Sequence, residues 1–404
     1  MGKIIGITAE YNPFHRGHFY QIETLRREEK DACVVAALSG SFLQRGVPAL
    51  LDKWTRAEMA VRCGADLIVE LPAPFCCHNA GVFADGSVAL LKACGCVTAL
   101  SFGMEDGAEL LRSIPDILVQ EPPSFKAFLQ EFLKKGYSYA QARAESCERL
   151  CPGARALLEK PNNTLAVAYA ESALRQGAAF ELLPVRRKGA GYHDESGSDE
   201  LASAAGIRAA LARGERETAF AAMPEASSAV LRDQLDRGRA LLDEAPLWRA
   251  VRLLLLRETP ASLRAFAGVS EGIEHRLLDS VTAAGSLDDF VDRVSTRRYP
   301  RTRVQRLLIW LLLNISKEND AEFQRRGPAY IRPLAMSERG KALLREIRSR
   351  GALPVVNKPA GLGGDEYAQR TFALGLRAAS LWESFLPKPD WKRELSAAPY
   401  TGGD

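Results

Sequence analysis

Residues 3–27, KIIGITAEYNPFHRGHFYQIETLRR, carry three local signals in one run. Lys3 to Thr8 is a short, apolar, β-branched stretch of strand length, and Phe19 to Arg27 is amphipathic at helical spacing. Asn12-Pro13 forces a turn between them. At the mouth of the helix stands His15-Arg16-Gly17-His18. Two imidazoles can donate to phosphate oxygens, Gly17 lets a backbone come close, and the new helix offers unpaired N–H groups at the positive end of its dipole. Histidines at i and i+3 could also pair on a helix face or hold a metal. Two of only five His in the chain, placed directly after a strand, favour a nucleotide.

The same alternation continues outward. Ala32–Leu38 precedes a helix from about Lys53 to Cys63, Asp66–Leu71 precedes Ala80–Ala93, and Cys96–Phe102 follows. This βαβαβαβ series predicts an α/β fold, a doubly wound parallel sheet with helices on both faces. Ligands of such sheets sit beyond the C-terminal ends of the strands. The His-Arg-Gly-His turn, Ser39-Gly40-Ser41 and Ser101-Phe102-Gly103 all fall there.

Glu109 to Arg149 reads as helices broken at Pro122-Pro123, and Lys160-Pro161-Asn162-Asn163 opens a helix from Thr164 to Gln176. Asn162 is either its cap or a contact to ribose or phosphate. Phe180–Val185 is the next strand and runs into a basic, glycine-spaced loop, Arg186 to Asp194. Glu195 to Asp199 reads as a mobile loop, and Ser203 to Ala212 as a helix carrying Arg208. From Pro224 onward the pattern is almost all helical, as in Ala240–Arg257, Gly272–Ala284 and Val304–Ser316. Two domains are predicted: 1–220, handling the nucleotide, and 221–404, mainly helical. Val355–Lys358 is a candidate short strand, and the tail beyond Ala397 is expected to fray.

With 404 residues, 47% hydrophobic and 26% charged, the chain has the composition of a soluble globular protein of two or three domains. No apolar run reaches the roughly eighteen residues of a membrane span, and the N-terminus enters a strand without a signal pattern. A cytoplasmic protein with no membrane partner is expected. The cysteines at 33, 63, 76, 77, 94, 96, 147 and 151 lack a second Cys-x-x-Cys or a His at zinc spacing, so free structural thiols and no structural metal are expected. The net charge is only +4, but Val291 to Arg350 holds fifteen Lys or Arg against six acids. That local excess fits a nucleic-acid footprint, with Arg298, Arg303, Arg306 and Arg332 as its candidate contacts.

Adenylyl transfer needs a stabilised α-phosphate, an in-line nucleophile and cations for the departing pyrophosphate. His15 and His18 suit the first task as catalytic residues. Arg187 suits the last, with Arg186 or Lys188 as alternatives. Glu10 is either a Mg²⁺ ligand or a partner of the loop backbone. Lys53-Trp54-Thr55-Arg56 sets positive charge at a helix start, against the dipole, a local conflict that hints at function.

Longer blocks extend the reading: Glu10 to His18; Ser39-Gly40 with Phe42 to Gly46; Asp66 to Pro72; Phe102-Gly103; Lys160 to Asn163; Tyr192-His193-Asp194; Glu271 to Arg276; Arg298-Tyr299 with Thr302-Arg303; and Ala329 to Arg332. In these, from about residue 3 to 360, the chain resembles the bacterial tRNA(Met) cytidine acetate ligases of the nucleotidyltransferase superfamily. The resemblance implies that ATP activates acetate as an acetyl-adenylate. The acetyl group then passes to N4 of the wobble cytidine of elongator tRNA(Met), releasing AMP and pyrophosphate. It implies ATP contacts at Thr8, Ala9, Glu10, Tyr11, Asn12, Pro13, Phe14, His15, Arg16, Gly17, His18, Phe19, Tyr20 and Gln21, and at Gly103, Asn162 and Arg187. Mg²⁺ is expected to accompany the ATP, and the basic helical region to meet the tRNA. One departure stands out. Related nucleotidyltransferases carry hydroxyl residues just before an Ile-Arg pair, where this chain has Ala205-Gly206 before Ile207-Arg208. Two rivals are a small-molecule nucleotidylyltransferase of the same fold and a non-catalytic RNA-binding protein.

Overall fold

One sheet of seven strands organises the chain, in the order β5-β4-β1-β2-β3-β6-β7. The strands are β1 Ile4–Ala9, β2 Cys33–Ser39, β3 Leu67–Leu71, β4 Ala99–Met104, β5 Glu181–Arg186, β6 Pro333–Met336 and β7 Tyr400–Thr401. This computed structural model describes residues 2–187 and 203–402. The first five strands are parallel, with Gly6 opposite Val35, Ile5 opposite Ala99 and Ala36 opposite Ile68. The doubly wound arrangement expected from the sequence is therefore present. The order turns back at β1, which lies between β2 and β4, so a crevice opens at the C-terminal ends of β1 and β4. Two buried clusters line the faces: Val35, Leu67, Val69 and Leu100 on one, Ile5, Ile7, Val34 and Ile68 on the other. Burial on both faces is why these strands read as unbroken apolar runs.

The C-terminal part departs from expectation. β6 pairs antiparallel with β3, and β7 pairs parallel with β6, so residues far beyond 220 complete the sheet. The tail does not fray at Tyr400-Thr401, where the Arg62 guanidinium lies 5.1 Å from the Tyr400 ring. The expected strand at Val355 is a single bridge to Ile331. β6 leaves no sequence signal because four residues opening on a proline show no period of two.

The positive charge at the start of helix α2, Lys53–Arg62, is resolved by burial and pairing. Asp52 caps the helix, its Oδ1 accepting the Thr55 N–H at 2.9 Å. The Lys53 Nζ lies 2.5 Å from Glu70 Oε1 and 2.6 Å from Glu394 Oε1. Arg332 Nη1 lies 3.1 Å from Glu70 Oε2 and 2.6 Å from Glu394 Oε1, with its guanidinium over Trp54 and Phe372. Burial alone would raise the Glu70 carboxyl pKa, but the Lys53 and Arg332 charges outweigh it and hold the group below its ordinary value. Arg332 is 2% exposed, so its assignment to an RNA footprint is corrected. Counting charges along a sequence cannot separate a surface arginine from one inside an ion cluster. Arg56, also buried, donates to the carbonyls of Leu51, Glu10, Ser39 and Gly40 and so gathers the ends of β1 and β2. The local conflict at α2 is thus architectural.

All eight cysteines are free, seven of them buried. Desolvation pushes the Cys76 thiol up to about 12, as expected of a packing residue.

Removing one partner from a buried ion cluster strands the opposite charge, at about 3–5 kcal/mol. Arg332→Ala should lower the unfolding free energy in urea by about that much, whereas exposed Arg298→Ala should stay within about 0.5 kcal/mol of wild type. Similar losses for the two variants would contradict this account.

Candidate active site

The turn after β1 is built tightly. Tyr11 takes a left-handed conformation at φ 45°, and the Asn12-Pro13 peptide is cis. His15 then occupies the N-cap of helix α1, Arg16–Glu28. Its Nδ1 accepts the Gly17 N–H at 3.0 Å, and its own N–H donates to His18 Nδ1 at 3.2 Å. This is a reciprocal capping box made from two imidazoles. A neutral ring whose Nδ1 accepts must carry its proton on Nε2. Among the described residues neither Nε2 has a hydrogen-bond partner, so the cap orients two N–H donors for an outside acceptor. A Cβ at Gly17 would stand 2.8 Å from the His15 ring, so the motif's glycine keeps the cap open.

The rings are stacked, their centroids 3.8 Å apart. Burial lowers the His15 pKa to about 3, and the charges of Arg187 and Arg208 add to the effect. His18 is driven down in the same direction by burial, by His15 and by Arg187. Two neutral donors avoid the repulsion that two stacked imidazolium ions would suffer.

Other loops bring cations to this pair. The Arg187 N–H donates to Met104 O at 2.7 Å, and its side chain crosses Gly103, where a Cβ would meet Arg187 Cγ at 3.3 Å. Gly103, Arg187 and the two histidines therefore share one crevice at the ends of β1, β4 and β5. Arg208 reaches the motif loop from the helix Ala204–Ala212, donating to Asn12 O at 2.6 Å. Gln21 Nε2 donates to Ser101 Oγ at 3.1 Å.

Asn162 is not the cap of its helix. Lys160 holds that position in Pro161–Arg175, with Pro161 starting the first turn. Asn162 Nδ2 instead donates to Glu105 Oε1 at 2.5 Å, while Asn163 Oδ1 accepts the Glu105 N–H at 2.9 Å. The asparagine pair grips the turn after β4, two residues beyond Gly103. Of the two roles open for Glu10, a bond to loop backbone is present, with Oε1 accepting the Gln44 N–H at 2.7 Å. Desolvation raises the Glu10 pKa against the opposing effects of that bond and of Arg56.

Several implied ATP contacts point their side chains elsewhere. Tyr11 and Phe14 are packed in the core, Ala9 and Pro13 are buried, and Asn12 Oδ1 accepts the Leu50 N–H. Arg16 turns outward, its Nε donating to Ala221 O at 2.9 Å. These residues face the crevice with backbone at most. Thr8, Phe19 and Tyr20 are partly buried. Ser203 Oγ accepts the Gly206 N–H at 3.0 Å and caps its helix. Lys188 and the segments 189–194 and 195–199 lie outside the described residues.

On the basic side, Arg298 is exposed. Arg303 lies over the Tyr299 ring and donates to Ser270 Oγ at 3.2 Å. Arg306 is half-buried and donates to Gln44 O at 3.3 Å. Sequence patterns assign no role to Arg45, although it lies in the Phe42 to Gly46 block, nor to Glu105, because both sit in short loops with no periodicity to mark them.

Known proteins share this architecture. The profile of the HIGH nucleotidyl transferase family matches residues 2–396. A tRNA(Met) cytidine acetate ligase of Acetivibrio thermocellus is 33% identical over 97% of both chains. One of Syntrophotalea carbinolica is 38% identical over 88% of this chain and 84% of its own. The crystal structure of Thermotoga maritima TmcAL bound with alpha-thio ATP superposes with a TM-score of 0.92 at 31% identity, covering all of both chains.

The buried imidazoles make stability depend on pH. With the folded His15 pKa near 3 against an ordinary 6.5, the unfolded chain takes up a proton that the folded chain refuses. The contribution is whole above pH 6.5 and is lost as pH falls toward 3. Between pH 7 and pH 5 the loss from His15 is about 2 kcal/mol. His15→Asn keeps a capping acceptor but does not titrate there, so its urea midpoint should fall less than wild type over that interval. Parallel declines in the two proteins would exclude a buried neutral His15.

Proposed function

The chain belongs to the HIGH nucleotidyl transferase family and, within it, to the tRNA(Met) cytidine acetate ligases, and on that premise we propose how its crevice works. It is an ATP-dependent ligase. The proposed reaction joins acetate to N4 of the wobble cytidine of elongator tRNA(Met), in the cytoplasm, where that tRNA is found. The observation that carries this reading is the two-histidine capping box with Arg187 laid across Gly103 at the crevice between β1 and β4.

Acetate is a poor acyl donor, and the cytosine amine is a weak nucleophile because its lone pair is delocalised into the ring. The carboxylate must first acquire a leaving group. An acetate oxygen attacks the α-phosphorus of ATP, the bond to the bridging oxygen breaks, and pyrophosphate departs. The His15 and His18 Nε2–H groups donate to phosphate oxygens as charge builds on them, preorganised by the cap. Arg187 holds the departing pyrophosphate, and Gly103 and Asn162 line the nucleotide's path beside β4. In the second step the cytidine N4 attacks the acetyl carbon of the mixed anhydride, AMP leaves, and the amine loses its proton. Excluding water from the anhydride falls to the walls of the crevice.

Mg²⁺ is proposed to arrive with the triphosphate, held by phosphate oxygens and water, and to shield their charge. Among the described residues no three His, Cys, Asp or Glu side chains gather as a metal site. Glu10, on the motif loop, already spends Oε1 on Gln44.

The nucleotide is assigned to residues 1–220 and the tRNA to the helical part from 221, with Arg298 and Arg303 as backbone contacts. Presenting the target base requires unstacking it from the anticodon loop, which suits basic and aromatic side chains such as the Arg303–Tyr299 pair.

Incubation with labelled acetate, ATP and unmodified tRNA(Met), followed by nucleoside analysis, should yield N4-acetylcytidine. Stable adenylylation of a small molecule in its place would establish the rival transferase. His18→Ala should abolish acetate-dependent pyrophosphate exchange while leaving tRNA affinity within about twofold. Reversing Arg298 and Arg303 to Glu should weaken tRNA binding and reduce its salt dependence, leaving exchange intact. A common effect of both sets on one step would refute the division of labour.

A further inference from the structure

Gln44 is clamped from both sides. Its N–H donates to Glu10 of the motif loop, and its carbonyl accepts from Arg306 on the basic helix Arg301–Leu312. The turn it belongs to is closed by Gly46 N–H to Leu43 O at 2.8 Å and Leu43 N–H to Val47 O at 2.9 Å. Gly46, at φ 79°, is pressed so closely on that helix that a Cβ would come 2.2 Å from the Arg306 nitrogen. Arg45 stands at the tip of this turn, with a fixed residue on each side.

Arg45 is exposed and makes no hydrogen bond or ion pair with any described residue. Its charge acts on Glu10 and on Arg208, the cation that holds Asn12 O. A second guanidinium brought near Arg208 on a rigid turn is repulsive by itself and becomes favourable once an anion lies between them. The turn sits at the seam between the histidine loop and the basic helix, where phosphates of both substrates would pass.

We propose that Arg45 is a phosphate-binding residue of this active site, gripping an oxyanion beside the motif loop. The phosphate belongs either to the ATP triphosphate or to the tRNA backbone next to the target cytidine; which of these two it meets rests on the ligase reading above. Arg306, by the same geometry, is a positioning residue for this turn.

The test is a pair of binding titrations on wild type, Arg45→Ala and Arg45→Lys, one with a nonhydrolysable ATP analogue and one with tRNA(Met) at several salt concentrations. Arg45→Ala should keep the wild-type melting temperature and lose tenfold or more in one titration, with Arg45→Lys between. Loss confined to the analogue assigns the triphosphate. Loss confined to tRNA, with a salt slope smaller by about one, assigns the RNA backbone. Both affinities within twofold of wild type would overturn the proposal. Because the readout is binding, failure to form N4-acetylcytidine would count against the ligase reading and leave Arg45 to be judged by the titrations.

Discussion

Lys53, Glu70, Arg332 and Glu394 bring two cations and two carboxylates together out of water, and the rest of the molecule is arranged around them. Each of these charges would be costly to bury alone, so the segments that carry them must arrive together. Those segments are the start of α2, the interior of β3, the residue before β6 and the chain near residue 394. Their meeting adds β6 and β7 to the parallel sheet and fastens the C-terminal half against the N-terminal half. The same end of α2 carries Arg56, whose guanidinium collects carbonyls from the ends of β1 and β2. The floor of the crevice therefore depends on contacts made by α2 as well as on the motif's own loop.

Above that floor, the histidine motif is shaped by its backbone as much as by its side chains. The imidazoles spend one nitrogen each on capping α1, which fixes where the other nitrogen points and which tautomer it carries. Desolvation and nearby arginines keep both rings neutral, so they can stack closely while the positive charge of the site is supplied by Arg187 and Arg208. Hydrogen-bond donation and charge neutralisation are thus divided between different residues on different loops.

Much of this is legible in the sequence. β1 to β5 appeared as apolar runs, displaced by one to three residues, because strands buried on both faces leave a continuous signal. The convergence of His15, His18, Gly103 and Arg187 followed from the rule that parallel strands deliver their loops to one edge. Asparagine favours a capping role, which makes Asn162 a candidate cap from sequence, yet Pro161 sets the helix start one residue earlier. β6 and β7 are not legible in the sequence because strands of four and two residues leave no periodicity.

The sequence by itself determined the winding of the sheet, the edge at which its loops converge and the place of the histidine pair at the start of the first helix, since all of these follow from local patterns and short turns. Tertiary structure alone decided which charges are enclosed in the scaffold and which are left at the surface. Arg332 and Arg298 look alike in a count of basic residues, but one is enclosed by Glu70 and Glu394 and the other faces water. The physical reason is that a charge takes its meaning from its dielectric surroundings and its partners. For Arg332 those partners lie 262 residues before it and 62 after it, beyond the reach of any local pattern.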